Sequence, residues 1–322
     1  MMTFDRFILA FIGAAATTVI LLAAELPINR TTHAPKAVFL SPDAVPEITS
    51  LEKSRRNSLT SNTLFRIFAR IKYDFNSVQA GQVPIPRLFV KNLPSDMRRI
   101  KATKDRKELF LLSVLPLILK VNDEIWAERK KLIELKKLVK NRIKLSAKDR
   151  LWLAVMEDRY KVVRGDLGAL ELGMDIIPPS LALAQAAEES GWGTSRFVVE
   201  GNALFGQWTD NKKNGLIPLG RVINHNYRIE VFRSLLDGVR AYARNLNTHQ
   251  AYRSFRANRS ELRRSGKILS GQKLSLHLAS YSERGENYVR SLQKIITSNS
   301  LEKFDHLKLG DRNLRVIERI IS

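Results

Sequence analysis

The sequence predicts an α+β chain that is mainly α. Three observations carry that expectation. Apolar positions recur at helical spacing between capping residues from Leu109 to about Val163. Residues 178–191 are rich in the best helix formers, bracketed by a Pro-Pro pair and a glycine. From Gly206 to Asn226 the chain turns polar and Gly/Asn-rich, with apolar runs short enough for strands only.

The elements follow in order. Phe7–Ala24 holds 18 residues without a charge, near the lower length for a membrane span and longer than a usual signal-peptide core. Leu22 and Ala24 make a poor cleavage site, so an uncleaved signal anchor with the N-terminus inside is expected over a removed signal peptide. Lys36, Lys53, Arg55 and Arg56 beyond it weaken the positive-inside argument. Residues 25–99 read as a stalk or linker, in which Leu64–Phe75 forms a short basic amphipathic helix that packs on the domain and the prolines of Gln79–Pro94 keep the chain extended.

Residues 100–165 are expected to form a helical subdomain. Leu109–Val121 is a core helix kinked at Pro116, and Asn122–Leu145 is an amphipathic helix with one strongly basic face. Ser146 to Asp149 reads as a capping box that opens a further helix. Residues 166–300 then form the main domain. Its expected strands are Leu216–Leu219, Val222–Ile223 and Ile229–Phe232, and its later helices Leu235–Thr248, Ala251–Ala257 and Glu286–Thr297. Residues 301–322 read as an amphipathic helical tail carrying Leu314, Ile317, Ile320 and Ile321.

Lys and Arg exceed Asp and Glu by 22, with a pI near 10.3, so the surface is drawn to a polyanion such as anionic lipid, an acidic wall polymer or nucleic acid. Cysteine is absent, which fits an exported chain without disulfides and a cytosolic one equally. No P-loop, GxGxxG or HExxH occurs, and histidines 33, 225, 249, 277 and 306 lack metal-ligand spacing; His249 reads as a turn residue. No cofactor is called for.

The stretch 178–206, PPSLALAQAAEESGWGTSRFVVEGNALFG, is the candidate site. Glu189 falls in the last turn of a short helix that Gly191 stops. The partial negative charge of a helix C-terminus disfavours ionisation there, and Trp192 just beyond excludes water. Both raise a carboxyl pKa, as a general acid near neutral pH requires. A solvated surface glutamate is the plain alternative.

AQAAEESGWGTS followed by GNALFGQW resembles the signature of family 73 glycoside hydrolases, N-acetylglucosaminidases that cut peptidoglycan. SLLDGVRAYARNLNTHQAYRSFR at 234–256 and YSERGENYVRSLQKII at 281–296 are similar to its Bax-like branch. The resemblance spans roughly residues 100–297 and implies a lysozyme-like catalytic domain with a small β-lobe. Glu189, directly before Ser-Gly-Trp-Gly, matches the family's catalytic acid; Glu188 does not. Tyr281 matches a tyrosine that supports the site. Asn202, Leu204, Phe205 and Gly206 match the NLFG motif, with Phe205 as packing and Asn202 facing the cleft by analogy. Trp208 stands where relatives carry Lys and offers a ring for sugar stacking. Gln185, one turn before Glu189, reads as a hydrogen-bond partner behind it, and Gln185, Trp192, Asn202, Phe205 and Trp208 together are the substrate-binding set the resemblance implies.

The second catalytic group is open. The family's Thr-x-Glu-Tyr string is missing; Glu230 lies 41 residues after Glu189 in a strand-like segment, with Asp210 and Glu200 as alternatives. A site without a second carboxylate, its water held by Asn202 and backbone groups, is a further possibility. The expected protein is therefore a single-pass inner-membrane glucosaminidase whose catalytic domain faces the periplasm and meets peptidoglycan strands. An anionic wall polymer or lipid is a possible further partner, and no nucleic acid is expected. Lytic transglycosylation and a non-catalytic basic polyanion-binding module are the rival readings.

Overall fold

The computed structural model describes residues 59–209, 215–217 and 228–311. Helix α1 (Ser61–Arg70) starts at Thr60 and α2 (Phe75–Gln79) at Asp74, each side chain accepting a backbone N–H of the first turn. Leu64, Ile67 and Phe68 of α1 are buried in the main core. Residues 59–99, read from sequence as the end of a stalk, thus belong to the core: the amphipathic pattern that makes α1 a helix also gives it an apolar face to bury.

Helix α3 (Thr103–Lys140) joins into one what the sequence reading separates into a kinked core helix and a basic amphipathic one. Pro116 sits inside it without ending it. Proline has no N–H for the carbonyl four residues back, so Leu112 O loses its helical donor. The buried Tyr73 hydroxyl supplies one at 3.2 Å. A tertiary hydrogen bond thus replaces the missing helical one.

Helix α4 (Ala147–Tyr160) opens on Ser146, which accepts the Asp149 N–H at 3.1 Å, and ends at Lys161 in the left-handed region. Then come α5 (Leu167–Gly173), α6 (Pro179–Ser190) and α7 (Arg196–Gly201). Strands β1 (Trp208–Thr209), β2 (Gly215–Leu216) and β3 (Arg228–Glu230) form an antiparallel sheet in the order β1-β3-β2, with Trp208 opposite Ile229 and Gly215 opposite Glu230. Val222–Ile223 lies outside the described residues. Helix α8 (Leu235–Thr248) has the expected bounds. Helix α9 (Arg253–Arg264) runs further than its apolar pattern predicts, because the buried Arg259 belongs to the core rather than to a solvated end. Helices α10 (Gly271–Leu274) and α11 (Glu286–Ser298) complete the order. Of the expected tail helix, Leu301–Phe304 is a 3₁₀ turn, and Leu314, Ile317, Ile320 and Ile321 lie outside the described residues.

Helix α6 is central. Leu181 through Ala187 are all buried, so the helix is enclosed on every side rather than along one face. The helix packs against α3, α10, α11 and the 301–304 turn, and its alanines let those neighbours approach closely. A proline start provides no side-chain cap, so Asp305 supplies one from afar: its carboxylate accepts Ser180 N–H at 2.8 Å and Gly271 N–H at 2.9 Å. One core cluster runs from Leu64 to Phe304, so segments 100–165 and 166–300 share it.

The loop entering α6 is tied down by buried charge. Arg259 is fully buried and donates to the carbonyls of Leu172, Gly173, Asp175 and Ile176 and to Asn247 Oδ1. Asp175, 2% exposed, takes a two-pronged hydrogen bond from Arg263 at 2.8 and 3.0 Å. Burial alone would raise its pKa, but Arg263, Arg259 and Arg129 hold it below the ordinary carboxylate range.

No helix among the described residues is long and apolar enough to cross a membrane, and Phe7–Ala24 lies outside them. The described part is mainly α with one small sheet.

Candidate active site

The Ser-Gly-Trp-Gly motif is a turn built by backbone demand. Gly191, Trp192 and Gly193 all have positive φ, at 56°, 58° and 79°. Glycine meets that demand without strain at two of the three positions. A Cβ at Gly193 would also lie 2.6 Å from Leu93 Cδ1 and 3.0 Å from Phe110 Cδ2, so a larger residue would displace these packed side chains. The buried Ser190 hydroxyl donates to Ala186 O and accepts the Gly193 N–H at 2.9 Å, fastening the turn to the helix. The chain leaves α6 sharply, and Glu189, the residue before Ser190, is left at the edge of a cavity of about 1020 Å³.

Several parts of the fold line this cavity. Glu189 comes from α6, and Phe205, Gly206, Gln207 and Trp208 from the segment entering β1. Glu230 comes from β3, while Arg244, Asn245 and Thr248 come from α8. Ser280 to Arg284 close one side, with Tyr252 and Lys161 also on the wall. Glu189 and Glu230 therefore share one cavity, as do Tyr281, Phe205 and Trp208.

Burial raises the pKa of Glu189 above the ordinary glutamate value. A hydrogen bond from Tyr288 works against that rise, while the charge of Glu188 adds to it and that of Arg284 opposes it. Burial also raises Glu230, with the Arg244 cation pulling the other way. Gly206 borders the Glu189 carboxyl: a Cβ there would make ordinary contact with Oε2 at 3.6 Å, and the backbone φ of 58° favours glycine.

Behind Glu189 runs a chain of hydrogen bonds with one direction. The buried Tyr242 hydroxyl donates to Gln185 Oε1 at 2.7 Å. Gln185 Nε2 donates to the Tyr288 oxygen at 2.9 Å, which leaves the Tyr288 proton for Glu189. Tyr281 stacks parallel to Tyr288 at 5.6 Å and donates to Phe205 O at 3.3 Å. Phe205 in turn stacks on Tyr242 at 3.8 Å. Burial lifts the Tyr281 hydroxyl far above its usual pKa, so it stays a neutral donor.

Three expected substrate contacts fall elsewhere. Gln185 is fully buried and belongs to the relay behind the cavity rather than to its lining. Trp192 packs edge-on against Phe110 at 5.9 Å, with Lys107 over its ring at 4.6 Å, because its positive φ aims it at α3 instead of the cavity. Asn202 caps α7 at φ 54° and its amide donates to Phe232 O at 3.1 Å, so it holds the loop carrying Phe232 and is not on the cavity wall. Trp208, 62% exposed, does lie on the wall.

Among the alternatives for a second carboxylate, Glu200 pairs with Arg196 at 3.2 Å and Asp210 lies outside the described residues. Glu188 points to an exposed ion pair with Arg284. His249 accepts the Ala251 N–H at 3.2 Å, a turn contact. Sequence reasoning missed Tyr242, Tyr252, Tyr288, Arg244 and Lys161. The tyrosines occupy positions that a helical pattern assigns to core, and nothing local marks the two cations.

Residues 170–301 match the Glucosaminidase family, described as mannosyl-glycoprotein endo-beta-N-acetylglucosaminidase. The chain is also 31% identical over 229 residues to the "Protein bax" of Escherichia coli (strain K12), a match that covers 69% of this chain and 76% of that protein. No solved structure matches it. The matched region holds α6, the sheet and every wall of the cavity except Lys161, and on that likeness the chain belongs to the glucosaminidase family, with a Bax-like, glycoside-hydrolase type of domain.

Proposed function

We propose that this protein is an endo-β-N-acetylglucosaminidase acting on the N-acetylglucosamine–N-acetylmuramic acid backbone of peptidoglycan, with Glu189 as general acid in a lysozyme-like cleft. One observation carries the reading: a carboxyl with a burial-raised pKa, bordered by Gly206, shares a cavity of about 1020 Å³ with a second carboxyl. Protonated Glu189 gives its proton to the leaving glycosidic oxygen. Glu230, raised by burial with the Arg244 cation opposing the rise, is the second carboxyl, which activates water or faces the oxocarbenium ion. Tyr281 fixes the Phe205 backbone on the wall, and Trp208 offers its exposed ring to a sugar. Phe7–Ala24 is proposed to anchor the chain in the inner membrane, with the enzyme on the periplasmic side.

Digestion of purified peptidoglycan, with products read by mass, tests this. New reducing ends on N-acetylglucosamine support it. An anhydro sugar would instead assign the cleft to lytic transglycosylation, and intact glycan would remove the enzymatic reading altogether. Protection of the C-terminal region from protease in spheroplasts would defeat the proposed topology.

A further inference from the structure

We propose that Lys161 and Arg244 form an anion subsite of the cleft that takes a carboxylate carried by the glycan, so that the site prefers an acid-bearing glycan to a neutral one. This rests on the glycan-cleaving reading of the cleft.

Ala241, Arg244, Asn245 and Thr248 recur at positions i, i+3, i+4 and i+7, so they share one face of α8, and all four line the cavity. Lys161, at the left-handed end of α4, lines it too. Arg244 also borders a small pocket with Glu128, Arg159 and Tyr160, which brings the end of α4 beside α8. The carboxylates that border this pocket are already matched. Glu124 is held by Arg240 at 2.8 Å and Lys120 at 3.2 Å, and Glu128 by Arg159.

Other cations near the cleft are engaged as well, with Arg284 on Glu188 and Arg240 on Glu124. Among the described residues neither the Arg244 nor the Lys161 side chain has an ion pair or hydrogen bond; Glu230 feels the Arg244 charge only through space. A guanidinium left unmatched on a cavity wall suits a carboxylate, which its planar fork can bind in two-pronged fashion. A neutral sugar gives it no such partner. The chemistry that fits is the lactyl carboxylate of a muramic acid or a carboxylate of the peptide attached to it.

The test is calorimetric binding to the full chain carrying Glu189→Gln. Two probes are used: a peptide-free tetrasaccharide of alternating N-acetylglucosamine and N-acetylmuramic acid, and the same tetrasaccharide with its peptides. Each is compared with its carboxamide form. At least one acid form should bind about tenfold more tightly than its carboxamide, as expected for a charge-assisted contact. Arg244→Gln with Lys161→Gln, both on exposed side chains, should make the two forms equal. Discrimination on the peptide-free probe names the lactyl carboxylate; discrimination on the peptide-bearing probe alone names the peptide. Lys137→Gln with Lys140→Gln removes the same charge at the end of α3 and should leave the discrimination in place. The proposal is overturned if no acid form is preferred, if the preference survives Arg244→Gln/Lys161→Gln, or if the α3 variant erases it equally. Cleavage of peptidoglycan by the unmodified chain is scored separately, so a failed glycosidase reading and a failed subsite are distinguishable.

Discussion

Asp175, on the loop entering α6, and Glu189, near the end of that helix, are both withdrawn from water, yet they differ in the direction of their pKa. Around Asp175 three arginines converge, and their charge and hydrogen bonds outweigh desolvation, so the carboxyl stays strongly acidic. Around Glu189 the partners are tyrosines and another glutamate, with Arg284 only a weak counterweight, so desolvation wins. Burial sets the stakes at both sites, and the partners decide the sign. The first arrangement fixes the helix in place; the second, on the proposed reading, would prepare a proton for transfer.

The largest expected effect is at Glu189. Glu189→Gln keeps the shape but removes the proton, and should cost about 10²–10⁴-fold in turnover. A carboxyl whose folded pKa is raised binds its proton more tightly folded than unfolded, so its ionisation opposes folding above the unfolded value. The variant should therefore be at least as stable as the parent at neutral pH, as read by denaturant unfolding. A large loss of stability would mean that the charge was structural.

Asp175→Asn makes the opposite trade. Uncovering buried arginines should cost about 3–5 kcal/mol of stability, measured by the same unfolding curves. The sign with pH also reverses. The stabilisation by Asp175 is complete above the unfolded carboxylate pKa of about 3.9 and is lost as pH falls through its lowered folded value. The parent should lose stability over that acid range more steeply than the variant.

Tyr288→Phe sharpens the contrast at Glu189. It removes the hydrogen bond that favours the carboxylate, so the pKa should climb further and the alkaline limb of the pH–rate profile should move up by about one unit. A purely structural tyrosine would lower the rate without moving that limb. Glu230→Gln should reduce turnover less than Glu189→Gln, because Glu230 is the less buried of the two carboxyls. Glu188→Gln should be nearly silent, since that side chain only pairs with the exposed Arg284.

Much of this contrast was legible in the chain. Pro178, Gly191 and the Ala-rich run between them announce α6, and its last turn announces Glu189, because helix signals are local. The same locality misread α3: Pro116 signals a kink, and only the distant Tyr73 hydroxyl on Leu112 O explains its tolerance. Gln185, Trp192 and Asn202 are motif residues, but their contacts lie behind the cavity: Gln185 joins Tyr242 to Tyr288, Trp192 packs on Phe110, and Asn202 holds the loop at Phe232. A motif records which residues are needed without saying which of them face the substrate. Arg259 was hidden for a related reason, since a buried arginine in a basic helix looks like any solvated one until its five partners are assembled.

Desolvation is expected to raise Glu189 into the range of a proton donor, while arginines keep Asp175 a fixed anion. Carboxyl-carbon NMR titration of the two residues in the folded chain tests it most directly. Glu189 should titrate above the ordinary glutamate value of about 4.3 and Asp175 below the ordinary aspartate value of about 3.9. Titration of Glu189 at or below the ordinary glutamate value would contradict it.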